Sequence, residues 1–374
     1  MVLNVELLNI QEMRLCLIGD VESIHIKRWS KWMVDRGHDV FIISDRKGSI
    51  EGCTVSVIGN SNRDSMMNFL RKAFQTRRIV KKLDPDLVHG HYLTGPGFFG
   101  AFSGFHPLVV SAWGSDLLVD ARRSKVKRSL IKWVISRADM LHLEMAMEID
   151  TALSLGAKKE RIVIAPFGVE PSLFSPEKGD AGLMERLNSK NRPIVISTRN
   201  HEEIYDVQTL IKSAPLILKK VPEARFLILG SGSQTGKLIE LARIEGVNEA
   251  VTFVGKVQHD ELPKYLASSD VYVSTSLSDT VSVSLLEAMS SGAVPVVSDI
   301  EGNRSLVTDG HNGLLFKTGD PISLAEKVSN LLSDIRALER YRAKNREIIM
   351  EEYDWNKNMM KVEEKYIELM GGKN

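Results

Sequence analysis

Between Ser276 and Asp299 the chain reads SLSDTVSVSLLEAMSSGAVPVVSD, a loop, a helix and a strand packed into two dozen residues. Ser276 to Thr280 has loop composition and Val283 to Met289 has helical spacing. Ser290-Ser291-Gly292 closes that helix, and Val294 to Val297 is an apolar strand. Ser282 or Ser284 is placed to cap the helix. A helix start at Ser282, Val283 and Ser284 aims unpaired N–H groups and positive dipole potential outward, which suits a phosphate. Asp279 falls just outside the helix and Glu287 about one turn in, with seven residues between them. Each carboxylate accepts hydrogen bonds and donates none, so the pair matches the vicinal hydroxyls of a sugar or a ribose. A turn-forming Asp279 and a solvated Glu287 are the plainer alternative.

The run LLEAMSSGAVPVVSD resembles the signature of the retaining glycosyltransferases of family 4 (glycosyl transferases group 1). That signature is Glu, seven residues, Glu, then Ala-Met/Ala-x-x-Gly-x-Pro-Val-Val; here Asp279 stands at the first acid and Glu287 at the second. The resemblance implies an α/β chain of GT-B fold, two Rossmann-like domains facing across a deep cleft. It also implies a nucleotide-diphosphate sugar as co-substrate, no cofactor and no obligatory metal.

The chain's 374 residues allow two domains of ordinary size, each with its own core. No apolar run approaches the ~18 residues that cross a bilayer. Met1 to Glu12 lacks the basic start and long apolar stretch of a secretory signal and reads as a dispensable leader. Two cysteines, Cys16 and Cys53, fit a reducing compartment, so the expected location is cytoplasmic, at most peripheral to the inner face of the cell membrane. Basic residues outnumber acidic ones in residues 13–175 and the reverse holds beyond, so the first half is the side expected to meet an anionic partner.

Arg14 to Ile18, a glycine turn, a helical pattern over Ile26 to Arg36 and the strand His38 to Ser44 make a βαβ unit, with ligands expected at the strand ends. Gly19 and His25 then line the acceptor side, or Gly19 is a structural turn. No G-x-G-x-x-G accompanies them, so no dinucleotide site is expected. The segment DPDLVHGHYLTGPGFFGAF resembles the family's Asp-Val-Ile-His-x-His stretch near the acceptor. Its His89 and His91 lie on the same side of a strand; hydrogen bonding at the cleft is expected rather than metal binding, because no third ligand has matching spacing. Trp113-Gly114-Ser115-Asp116 resembles the family's His-Gly-Ser/Ala-Asp, with Trp113 in the place of the histidine beside the reacting sugar. Asp116 either holds acceptor or sugar hydroxyls or caps the next helix. The basic run ARRSKVKRSLIKWV, with Trp133 at its edge, suits either an anionic lipid surface or a solvated helix face; no nucleic-acid motif accompanies it.

Pro166 to Pro176 reads as the domain boundary and resembles the family's Pro-Asn-Gly-Val-Asp-x-x-x-Phe linker, with Gly168 expected to supply a positive φ. This divides the chain into an acceptor domain over 13–170, joined by a returning helix over about 356–374, and a donor domain over 177–355. In the second domain, Arg199 matches the family arginine that neutralises the donor's diphosphate. The family lysine a few residues on is missing, and His201 is the nearby substitute. Gly230, in Gly-Ser-Gly, suits phosphates or a chain reversal. Gly255, Lys256 and Val257 correspond to the segment whose backbone faces the nucleotide base.

The expected activity is retaining transfer of a sugar from a nucleotide donor to a hydroxyl of a glycan or lipid-linked acceptor, in cell-envelope or polysaccharide assembly. Asp279, Arg199 and Asp116 are the candidate catalytic groups. Two alternatives stay open, a non-catalytic GT-B partner of another transferase and a sugar-nucleotide epimerase.

Overall fold

The computed structural model describes residues 12–59, 65–279 and 282–371, with the side chains of Leu118 and Arg122 excepted. The leader expected over Met1 to Glu12 therefore lies, up to residue 11, outside the described residues. The chain divides into two compact units: one runs up to Pro166 and takes in the segment from Met359, the other spans Phe167–Asn358.

The first unit is built on seven strands: β1 (Arg14–Ile18), β2 (Asp39–Ser44), β3 (Cys53–Val57), β4 (Leu87–His91), β5 (Leu108–Ser111), β6 (Met140–Leu143) and β7 (Ile162–Ile164). All pairings are parallel, in the order β3-β2-β1-β4-β5-β6-β7. The second unit carries β8 (Ile194–Ser197), β9 (Arg225–Leu229), β10 (Val251–Gly255), β11 (Val271–Ser274), β12 (Val294–Ser298) and β13 (Leu314–Phe316). These are also parallel, in the order β10-β9-β8-β11-β12-β13.

A parallel sheet covered on both faces needs strands that are buried throughout, and the central strands β8, β11 and β12 of the second unit are. In β8, Ile194 and Ile196 join the core on one face of the sheet while Val195 joins the core on the other. Strand order reverses between β1 and β4 in the first unit and between β8 and β11 in the second. Crevices outside the strand ends at such reversals are where open α/β sheets hold ligands. Residues that follow β1, β4, β8 and β11 are therefore the ones positioned for chemistry.

Gly168 corrects one expectation. Its φ is not in the left-handed region; instead a Cβ there would stand 2.1 Å from the Tyr353 carbonyl oxygen. The glycine is required by close approach of two backbones, which Val169 seals by exchanging hydrogen bonds with Tyr353 and Trp355. Gly292, at φ +90°, ends the helix Val283–Ser291 as its composition predicts. Among the described residues no helix is long and apolar enough to cross a membrane.

Candidate functional site

Arg199 leaves the end of β8 at the reversal point of the second sheet, only 8% exposed. Its Nη1 donates to Ser282 Oγ at 2.7 Å and Ser284 Oγ at 3.0 Å, and its Nη2 meets Asp279 Oδ2 at 2.6 Å. Ser282 is the N-cap of the helix Val283–Ser291, yet its hydroxyl makes no capping bond and instead accepts from the arginine. The helix start and the guanidinium thus converge, although Thr280 and Val281 of the preceding loop lie outside the described residues. Burial works against the cation, but Tyr272 and Asp279 beside it hold its pKa above the ordinary arginine value.

Tyr205 carries no sequence motif, and it fixes this arginine. Its ring lies 4.2 Å from the guanidinium carbon, a cation–π contact in a desolvated place. The loop that carries it is stitched to the loop after β11 by Leu277 N–H to Ile204 O (2.9 Å) and Thr275 Oγ1 to Tyr205 O (2.8 Å). Where the family places a lysine, this chain has a segment that pins Arg199.

Glu287 is 6% exposed on the same short helix, and His259 Nε2 stands 3.0 Å from its Oε1. His259 follows β10 and packs edge-on against Phe174, ring centroids 5.3 Å apart. No local sequence signal marks it, since the two residues meet only through packing. Gly255, at φ +82°, ends β10 with a bulge and accepts from Gly230 N–H, and Lys256 and Val257 follow it.

Gly230 has φ +104°, and a Cβ there would come within 2.7 Å of the Arg199 carbonyl oxygen. The Gly-Ser-Gly turn is thus pressed onto residues 199–201, with His201 N–H bonded to Ser231 O. That packing bears on the role expected for His201. It is 1% exposed with Nδ1 against Thr235 Oγ1 at 2.9 Å, and burial lowers its pKa, which weighs against a substitute cation, while its Nε2 is buried without a hydrogen-bond partner among the described residues.

In the first unit, Gly19, His25, His91 and Trp113 come together. Trp113 has its ring centroid 5.0 Å from that of His25 and 6.0 Å from that of His91, and a Cβ on Gly19 would sit 3.5 Å from the His91 Cβ. Burial, then the charge of Arg28, lowers the His25 pKa to about 4. Both ring nitrogens of His91 are buried without a hydrogen-bond partner among the described residues. An imidazole in that state has hydrogen-bonding capacity to spare at the strand end.

His89, expected to line the same place, is consumed elsewhere. His142 Nε2 faces the Ala165 carbonyl oxygen at 2.8 Å and must donate, so its Nδ1 accepts from Ser111 Oγ. Ser111 then accepts from His89 Nε2 at 2.7 Å, and His89 Nδ1 accepts from the Tyr366 hydroxyl. The chain of bonds runs one way and keeps both imidazoles neutral. Among the described residues no group of three or more His, Cys, Asp or Glu side chains is arranged to hold a metal ion.

Of the two readings of Asp116, the structure supports a backbone-binding one. Its side chain is fully buried and accepts from the backbone N–H groups of Leu93 (2.8 Å), Trp113 (3.0 Å) and Leu117 (3.0 Å). It clasps two loops and opens a π-helical turn, Asp116–Asp120, whose N-cap is Ser115. No face of it is left for an acceptor. Nearby Glu148 is equally buried and accepts from the N–H groups of Glu144 and Met145, with burial raising its pKa to about 7.

A pH dependence follows from Glu148. Its folded-state pKa lies above that of the unfolded chain, so the folded state holds the proton more tightly and stability falls as pH rises from about 4.5 to about 7. Glu148→Gln removes that fall. Relative to wild type, the variant is expected to gain on the order of 2–3 kcal/mol between pH 4.5 and pH 8, read from urea melts at the two pH values.

The protein is thus two doubly wound α/β units, the second with an arginine and a helix start converging at its reversal point. The model for the family described as glycosyl transferases group 1 matches residues 183–348, and that described as glycosyl transferase 4-like matches residues 14–144. Each model matches less than half of the chain, and between them they make both units similar to glycosyl transferases. It is 28% identical over 272 residues to the D-inositol 3-phosphate glycosyltransferase of Nocardia farcinica, a match covering 68% of this chain and 60% of that protein. Against the N-acetyl-alpha-D-glucosaminyl L-malate synthase of Bacillus anthracis it is 25% identical over 354 residues, 91% of this chain and 92% of the other. The chain thus spans less than two thirds of the length of the first relative and nearly all of the second. Anabaena HepE, solved in complex with UDP, superposes with a TM-score of 0.80 at 17% identity, over 96% of this chain and 100% of that one. The fold is GT-B, as the signature at Glu287 predicts.

Proposed function

We propose that this chain transfers a sugar from a nucleoside diphosphate donor to a hydroxyl of an acceptor, with retention at the anomeric carbon and without cofactor or metal. The observation that carries this is the convergence of Arg199, Asp279 and Ser282 at the start of the helix Val283–Ser291. A diphosphate placed there meets the guanidinium and the N–H groups of the helix start together. Glu287 takes the ribose diol, the backbone of Gly255 to Val257 faces the base, and Asp279 holds the donor sugar.

As the bond from the anomeric carbon to the phosphate oxygen breaks, negative charge grows on the diphosphate, where Arg199 and the helix dipole are already in place. The acceptor oxygen bonds to the same face of the anomeric carbon, and its proton passes to the departing phosphate oxygen. No histidine is required for that step, which accommodates Trp113. The reversal point of the first unit, with His91 and Trp113, takes the acceptor. Inositol phosphate and malate, named for the two relatives, are both anionic hydroxyl compounds. With the basic excess of residues 13–175, they favour an anionic acceptor, free or lipid-linked, of the kind used in cytoplasmic steps of cell-envelope glycan assembly.

The test is incubation with a panel of nucleotide sugars and anionic hydroxyl acceptors, following nucleoside diphosphate release and the anomeric proton coupling of the product. One donor is expected to yield a product of unchanged anomeric configuration. Donor binding without transfer or hydrolysis would instead indicate a non-catalytic partner, and donor isomerisation with no acceptor consumed would indicate an epimerase.

A further inference from the structure

The N–H donors of the Arg199 guanidinium are almost all taken by the chain itself. Nη1 donates to Ser282 Oγ and Ser284 Oγ, Nη2 donates to Asp279 Oδ2, and Nε is buried without a hydrogen-bond partner among the described residues. The Tyr205 ring covers one face of the group. At most one Nη2 hydrogen is left for a ligand. The charge is matched as well. The side chains of Arg199 and Asp279 are 9% and 19% exposed and meet at 2.6 Å, so the pair presents little net charge to a diphosphate.

A diphosphate and the Asp279 carboxylate therefore compete for the same guanidinium. What decides the competition is whether a sugar is attached. A sugar on the diphosphate offers Asp279 hydroxyl donors in exchange for Arg199, whereas a diphosphate without one offers it only repulsion. We propose that Asp279 is a latch that tells the sugar nucleotide from the nucleoside diphosphate left after transfer. With the sugar in place, the carboxylate leaves Arg199 for the sugar hydroxyls and the guanidinium turns to the diphosphate. Once the sugar has gone, the carboxylate returns to Nη2 and helps to expel the diphosphate. The side chain that holds the donor sugar thus also frees the arginine for the donor and reclaims it from the product. This rests on the reading of the β8–β11 reversal point as a donor site. A carboxylate that merely orients Arg199 makes the opposite prediction, since its loss would weaken diphosphate binding where loss of a latch strengthens it.

The experiment is calorimetric titration of the full chain with nucleoside diphosphates and with the sugar nucleotides built on them. Asp279→Asn keeps the size of the side chain and removes its charge. It is expected to bind nucleoside diphosphate about 10-fold more tightly than wild type and the sugar nucleotide no more tightly, so the preference of wild type for the sugar nucleotide is lost. Product inhibition by the nucleoside diphosphate should deepen by the same factor. In an Arg199→Ala background, Asp279→Asn should change nucleoside diphosphate affinity by less than about 2-fold, because no guanidinium remains to compete for. Asp279→Ala repeats the comparison without an amide that makes bonds of its own, and thermal melts check that each variant is folded. The proposal is overturned if both Asp279 variants bind nucleoside diphosphate as wild type does or more weakly. It is also overturned if the tightening persists in full without Arg199, which is the result of plain charge repulsion. Binding of no nucleoside diphosphate by wild type or any variant would sink the donor-site reading and the latch with it.

Discussion

Arg199→Ala is expected to lower turnover by about two to three orders of magnitude, roughly 3–4 kcal/mol of lost transition-state stabilisation. The family's second cation has no match in this chain, and burial lowers the pKa of His201, the nearest candidate to replace it. On the proposed mechanism one guanidinium then carries what two charges would share. The loss should fall mainly on kcat, because charge on the diphosphate grows as the sugar leaves. Nucleoside monophosphate affinity should suffer less than nucleoside diphosphate affinity. Arg199→Lys is expected to lie between the two, since an ammonium keeps the charge but cannot reach Asp279 and both serines with one planar fork. Steady-state kinetics on the three proteins decide it; equal turnover in wild type and Arg199→Ala would remove this residue from the chemistry.

Glu287→Ala is expected to act on binding instead. A buried carboxylate that accepts two hydroxyl hydrogen bonds contributes about 1.5–3 kcal/mol per charged hydrogen bond, so affinity for any nucleoside-containing ligand should fall by at least ~100-fold. Affinity for inorganic diphosphate should be unchanged. His259→Ala should produce a smaller loss of the same kind, because His259 orients the Oε1 side of that carboxylate without itself being the group a ribose would use. Calorimetric titration separates the cases; a Glu287→Ala protein that binds nucleotide as wild type does would place the ribose elsewhere.

What the sequence made legible was local. The helix start, its glycine stop and the strand after it are set by neighbours within a few residues, and the alternation of strands and helices carries the doubly wound plan. What it hid depends on residues far apart in the chain. Asp116 in Trp-Gly-Ser-Asp reads the same whether it faces a ligand or the Leu93 N–H, and only the tertiary fold supplies the latter. His89 and His91 look equivalent until Tyr366, 277 positions on, bonds one of them and leaves the other without a partner. Tyr205 and His259 carry no motif, yet they hold Arg199 and Glu287. Gly168 invited a reading through φ, whereas the backbone of Tyr353 was the reason for it.

The measurement that bears most directly on the central claim is calorimetric titration of the full chain with the common nucleoside diphosphates. One of them is expected to bind one-to-one with a Kd below about 0.1 mM, and to lose at least ~10-fold in affinity in both Arg199→Ala and Glu287→Ala. Absence of binding by every nucleoside diphosphate up to millimolar concentration, with the protein folded, would contradict the claim that the β8–β11 reversal point is a donor site.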